Sequence, residues 1–331
     1  MNWKFWLSFL ISGIFLYLAF RKVDWAELVE ALKHANYLYL LYAMLITLLG
    51  LWVRSVRWYF FMKPIQKIGL HSLFSATMIG FMVNNLFPAR LGEFMRAYAI
   101  GRKENLSKSA SFATIVLERI FDGISILLFV FVALIWGHFP LPSWMQQAVY
   151  FATGFYFLSL IFLIFLILQT ERAIRLSEWV THPLPTKWQQ RILSLLRMFV
   201  LGLQMLNNKR DILISCVLSA FVFIIPVFAV YLLLLSFGVN LPFAVSVFLL
   251  GMISIGVMIP SAPGYVGTFQ LLSVACLGIF GVSKSVALSF SLVFHVSQYL
   301  PVTLVGLIYL FSEGLSLSQI GSSSGALEAA E

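Results

Sequence analysis

The sequence predicts an all-α polytopic membrane protein: about six spanning helices plus two re-entrant helical hairpins, arranged as an inverted internal repeat. Three observations lead there. Of 331 residues, 61% are hydrophobic and only 11% charged, against about 25% charged in an ordinary soluble domain. Mean hydropathy is +0.94, and several apolar runs reach the roughly 20 residues that cross a bilayer as a helix. Two apolar stretches are interrupted by Pro and Gly in similar patterns, LFPARLG (86–92) and PSAPGYVG (260–267). Regular apolar–polar alternation is absent, which argues against a β-barrel.

Each element follows from the chain in order. Lys4, an apolar run to Phe20, then Arg21 and Lys22 resemble a signal peptide, but no small-x-small site precedes Arg21, so a retained first span over 3–20 is expected. In DWAELVEALKHA (24–35), Asp24 and Glu27 form a capping-box pattern, and Trp25, Leu28, Val29 and Leu32 share one face of a short interfacial helix. A second span over 37–61 ends among Arg54, Arg57, Lys63 and Lys67, with the two arginines read as interfacial anchors. The arms 71–85 and 93–100 are each too short to span. Further spans are expected near 110–136, 147–168, 211–236 and 285–311, and a second broken segment over 243–281. The basic stretch 186–206 reads as an amphipathic helix, lying on a membrane surface or packed on the protein's own loops. Residues 1–320 read as one integral domain, with 321–331 a disordered tail. Cys216 and Cys276 fall in apolar helices as small buried hydrophobes, without metal or redox spacing.

The repeat is visible in two matches. Pro88-x-x-x-Gly92-x-Phe94 recurs 175 residues later from Pro263, and SKS at 107–109 recurs 176 residues later at 283–285. The implied halves are about 37–136 and 211–312. Three spans separate the hairpins, an odd number, so the hairpins enter from opposite faces as in inverted-repeat transporters. Loop charge agrees. Lys4, the 54–67 region, GRKENLSK (101–108) and the basic 171–210 segment fall on one side, whereas 137–146 and 237–242 on the other contain no Lys or Arg. The positive side faces the cytoplasm, with both termini there. This asymmetry also accounts for the net charge of +9 without a nucleic-acid partner.

Irregular backbone at membrane depth is tolerated only where it is buried or lines a wet cavity. Each hairpin starts a half-helix near mid-membrane, whose N-terminal N–H groups and dipole favour an anion. Arg90 adds a phosphate-matching fork. Gly264 and Gly267 would let a headgroup approach the second backbone, with Thr268 beside them. On 110–136, Glu118 and Asp122 lie one turn apart on one face, with Thr114 and Ser125 extending it and Arg119 alongside. The repeat aligns Arg119 with His295 and Asp122 with Gln298. The bland alternatives are that Arg90 pairs with Glu93, that Arg119 pairs with Asp122, that Glu93 caps its own half-helix, and that His295 is a hydrogen-bonded core residue. Intramembrane ionisable residues are costly, and so many together favour a site. Nucleotide loops, HExxH and Cys/His clusters are absent from the sequence.

Together, NNLFPARLGEFMRAY, LERIFDG and PSAPGYVGTFQ resemble the flippase-like transmembrane family of lysylphosphatidylglycerol synthases, over about residues 5–312. The resemblance implies movement of a lipid between leaflets of the cell membrane, without the soluble domain that attaches lysine in full synthases, and no cofactor. In that reading Arg90, Arg96 and Arg119 contact phosphate. Glu93, Gly264, Gly267 and Thr268 are further substrate-binding residues, Glu118 and Asp122 bind substrate and balance charge, and Glu118, Asp122 and His295 form a possible proton relay. The expected partners are membrane lipids with anionic headgroups and lipid-biosynthesis enzymes. The alternative expectation is a membrane-embedded enzyme or accessory subunit of a glycolipid pathway.

Overall fold

The computed structural model describes residues 3–87, 90–137, 139, 141–183, 185–202, 208–258 and 262–316. Pro88 at the first break, residues 259–261 at the second, and the expected tail 321–331 lie outside the described residues. The described residues form helices α1 (Trp3–Phe20), α2 (Trp25–His34), α3 (Tyr37–Met62), α4 (Leu70–Leu86), α5 (Gly92–Glu104), α6 (Lys108–Gly137), α7 (Ser143–Leu168), α8 (Thr170–Thr181), α9 (Thr186–Gly202), α10 (Lys209–Ser236), α11 (Phe243–Gly256), α12 (Thr268–Ile279) and α13 (Lys284–Ser312). A short 3-10 turn, Pro263–Tyr265, stands before α12. The chain is an all-helical membrane protein. Among the described residues α3, α6, α10 and α13, of 26 to 30 residues, are long and apolar enough to cross a bilayer. The 18-residue α1 and 26-residue α7 are further candidates.

Local chemistry sets several boundaries. Asp24 starts α2 by accepting hydrogen bonds from the Ala26 and Glu27 amides. Asn36 and Asn208 do the same for α3 and α10. The expected capping box is only half made, because the Glu27 carboxylate instead accepts a hydrogen bond from Ser283 on the far side of the sequence. Asn105, at φ +53°, ends α5 in the left-handed conformation that Asn tolerates better than most residues. Cys276 is buried as expected, but Cys216 is exposed on α10.

The long helices α3 and α10 pack antiparallel along their lengths. The Asn36 amide donates to the Ser236 carbonyl at one end. Lys63 pairs with Asp211 at 3.0 Å at the other, and Gly50 lies against Ile225 and Pro226 between them. Each of the two following helix pairs is a hairpin. In α4–α5, Lys103 reaches Ser75 near the open end, Gly80 lies against Arg96, and Asn84 meets Gly92 near the tip. In α11–α12, Phe248 faces Phe280 near the open end and Gly256 meets Leu272 near the tip. Because α3 and α10 run in opposite directions, hairpins that follow their C-termini enter from opposite ends.

Element bounds recur along the chain. Moving α5 and α6 forward by 176 residues gives 268–280 and 284–313, against the observed Thr268–Ile279 and Lys284–Ser312. The Gly80–Arg96 approach moves to Gly256–Leu272, which is also a close contact. The halves exchange partners, since α4 packs on α13 and α11 packs on α6.

The α4–α5 hairpin depends on close backbone approach. A Cβ on Gly92 would lie 1.9 Å from the Gly80 carbonyl oxygen and 2.6 Å from the Asn84 side chain. Gly92→Ala is expected to separate the arms and cost about 1–3 kcal/mol. A lowered melting temperature in detergent checks this, and an unchanged one would contradict the packing.

Candidate functional site

Helix α6 presents Glu118 and Asp122 one turn apart toward α3 and α5. Four arginines enclose them. Arg96, from α5, makes a two-pronged contact with Glu118 at 2.8 and 2.9 Å. Arg54, from α3, bridges both carboxylates, at 2.9 Å to Glu118 and 2.5 Å to Asp122. Arg57, also from α3, reaches Asp122 at 2.6 Å and Ser219 of α10 at 2.8 Å. Arg119 touches Glu118 at 2.6 Å and Asp122 at 3.3 Å. Aromatic rings support the guanidinium groups: Arg96 sits 3.7 Å over Trp58, whose indole N–H donates to Thr114, and Arg54 and Arg119 lie over Phe81.

The cluster is graded in depth. Glu118 and Arg57 are wholly buried and Arg96 is 2% exposed. The side chains of Asp122, Arg54 and Arg119 are 10%, 14% and 32% exposed and line a cavity of about 320 Å³ between the two hairpins. Arg90 joins them there. Its backbone is left-handed, at φ +53°. Its guanidinium donates to the Val257 carbonyl at 2.9 Å and lies over the Tyr265 ring, so it spans from one hairpin tip to the other. Asn85, Gln298, Tyr156 and Tyr299 also line the cavity, among apolar residues. The volume is at the small end of ligand pockets.

Charge does not balance here. Arg54, Arg57, Arg96 and Arg119 face Glu118 and Asp122, an excess of two positive charges. Adding Arg90 and Glu93 preserves that excess. The Nε groups of Arg57, Arg96 and Arg119 are buried without a hydrogen-bond partner among the described residues. Buried charge is expensive unless compensated. The arrangement can therefore take an anion.

Several expected roles change. Arg96 is committed to Glu118 and closed off from the cavity, so it positions the carboxylate instead of meeting a phosphate. Arg54 and Arg57, read from sequence as interfacial anchors, are part of the cluster. Their three-residue spacing, which puts both on one face of α3, was the available signal. Glu93 accepts a hydrogen bond from Asn84 at 3.3 Å; among the described residues neither its own helix end nor Arg90 engages it. One amide at the start of each half-helix is answered by a protein group: the Gly92 N–H donates to Asn84, and the Gly267 N–H to Gln270. Gly264 lines the cavity, but Gly267 does not. At φ +91° it packs on Ser12 of α1, where a Cβ would lie 2.5 Å from the Ser12 carbonyl oxygen. Thr268 is likewise 1% exposed and does not line the cavity. His295 lines the cavity, yet both ring nitrogens are engaged, by Gln270 and by the Gly264 carbonyl, each at 2.8 Å. Since a carbonyl only accepts, Nε2 carries the proton and Nδ1 accepts from Gln270. That chain fixes the second hairpin tip and leaves no free nitrogen for a relay. Gln298 donates to Thr47 at 2.9 Å.

A polytopic helical membrane protein with a charged cavity between two opposed hairpins is the class these features define. The chain belongs to the family described as the lysylphosphatidylglycerol synthase TM region, whose model matches residues 5–306. It is also similar to UPF0104 membrane proteins of archaea. One from Methanothermobacter thermautotrophicus is 24% identical over 311 residues, covering 88% of this chain and 90% of the relative. One from Methanocaldococcus jannaschii is 23% identical over 312 residues, covering 90% and 92%. One from Pyrococcus horikoshii is 25% identical over 322 residues, covering 89% and 94%.

Proposed function

We propose that this protein moves a lipid with an anionic headgroup between the leaflets of the cell membrane, as a flippase or scramblase. The observation that carries the reading is the excess of arginine over carboxylate around the central cavity. An anionic phospholipid or a lipid-linked glycan intermediate would place its phosphate against Arg90, Arg119 and Arg54, with its acyl chains in the bilayer. Glu118 and Asp122 hold the arginines in place and moderate the charge. The halves are inverted repeats, supported by the recurrence of element bounds and by hairpins that enter from opposite ends. Rocking of one half against the other would then expose the cavity to each leaflet in turn. The basic ends of α3, α5 and the α8–α9 segment face the cytoplasm, as do both termini.

Transport fits better than catalysis. Glu118 is paired with four arginines, Arg54, Arg57, Arg96 and Arg119, and Asp122 with three, Arg54, Arg57 and Arg119. Neither is free to serve as a base. The test is movement of fluorescent phosphatidylglycerol and phosphatidylcholine in proteoliposomes, with mass spectrometry of the recovered lipid. Faster translocation of the anionic lipid at unchanged mass is expected. Equal rates for the two lipids, no movement of either, or covalent change would refute the reading.

A further inference from the structure

Far from the central cavity lies a second cavity of about 500 Å³, lined by His71, Arg102, Lys103, Tyr309, Ser312 and Glu313 among others. It sits where the open end of the α4–α5 hairpin meets the C-terminus of α13, at the end of the molecule that also carries Lys63 and Lys67. The chain builds it deliberately at two points. Gly314, at φ +65°, turns the chain after α13 and sends Leu315 into the core around α3–α6. This holds Glu313 against the hairpin, where Lys103 pairs with it at 2.6 Å and Ser75 donates to it.

The ionic accounting again leaves positive charge over. Glu313 is the cavity's one lining carboxylate, and Lys103 neutralises it. Arg102 is exposed and has no ion-pair or hydrogen-bond partner among the described residues. His71 is also exposed, its ring edge-on to Tyr309. Leu304, Ile308 and Phe311 form an exposed apolar strip on a different face of α13 from Tyr309 and Glu313. A basic pocket between helices at a membrane–water boundary has the form of a lipid headgroup site.

We propose that this cavity is a second anion site that takes the phosphate of a lipid drawn from the leaflet at the basic end. The phosphate engages Arg102 and His71 and shares Lys103 with Glu313. Bound there, the lipid fastens the base of the α4–α5 hairpin to α13. The site is separate from the transport pathway and does not rest on the transport reading.

Native mass spectrometry of the purified protein in non-ionic detergent tests it, with added phosphatidylglycerol or phosphatidylcholine. The parent is expected to retain phosphatidylglycerol preferentially. His71→Ala/Arg102→Ala, which alters two exposed side chains, is expected to weaken that retention about tenfold. Inorganic phosphate at millimolar concentration forms the other arm. Displacement of the lipid shows that the phosphate alone is recognised, and persistence shows that the acyl chains are also required; both uphold the site. Equal retention by the parent and the double variant, or equal retention of the two lipids, overturns it.

Discussion

Replacing Glu118 with Gln is expected to cause the largest loss of stability of any single change in this protein. Its two oxygens accept from Arg54, Arg96 and Arg119, which come from three different helices. The amide keeps the shape but removes the charge, leaving four guanidinium groups against Asp122 alone at a wholly buried position. Breaking a buried ion pair by removing one partner costs about 3–5 kcal/mol. A steep fall in the detergent melting temperature is the expected outcome. Arg96→Met in the same background should recover part of it, because it removes one of the stranded charges. A Glu118→Gln protein as stable as the parent would show that the cluster does not hold α3, α5 and α6 together.

The second large effect concerns transport. Arg90→Ala removes an arginine that bridges the two hairpin tips, with the Val257 carbonyl and the Tyr265 ring as its partners among the described residues. Neither partner is a charge, so little stability is lost. Losing a charge-assisted contact to an anionic ligand costs about 1.5–3 kcal/mol, or roughly ten- to a hundredfold. Translocation of phosphatidylglycerol in proteoliposomes should fall by that factor while the melting temperature stays near that of the parent. Arg90→Lys should recover part of the rate, since it keeps the charge and loses the fork. An Arg90→Ala protein that moves lipid at the parental rate would remove Arg90 from the pathway.

Much of the fold was legible because long apolar runs have few alternatives in a membrane, and because Pro and Gly mark where such runs must break. The i, i+4 spacing of Glu118 and Asp122 likewise gave their common face. What the sequence hid depends on distant partners. Arg54 and Arg57 stand near Lys63 and Lys67, and that neighbourhood looks like an interfacial anchor until α6 is laid against α3. Gly267 reads as an approach point for a ligand, but what approaches it is Ser12, whose side chain also accepts from the Ala262 amide across 250 residues. The commitment of Arg96 to Glu118, and of His295 to Gln270 and Gly264, could not be seen from spacing, because no local rule pairs residues on separate helices.

The same long-range pairing shapes how the protein is made. Arg54 and Arg57 leave the ribosome 64 and 65 residues ahead of their respective partners Glu118 and Asp122. While α3 enters the bilayer, each arginine carries an insertion cost of roughly 2.5–3.5 kcal/mol near the bilayer centre, with no carboxylate yet synthesised to offset it. Helix α3 is thus only provisionally seated until α6 arrives, and biogenesis becomes a cooperative step in which the third helix after α3 secures it. A nascent chain truncated before residue 118 should leave α3 poorly retained, although its own apolar run is long enough to span.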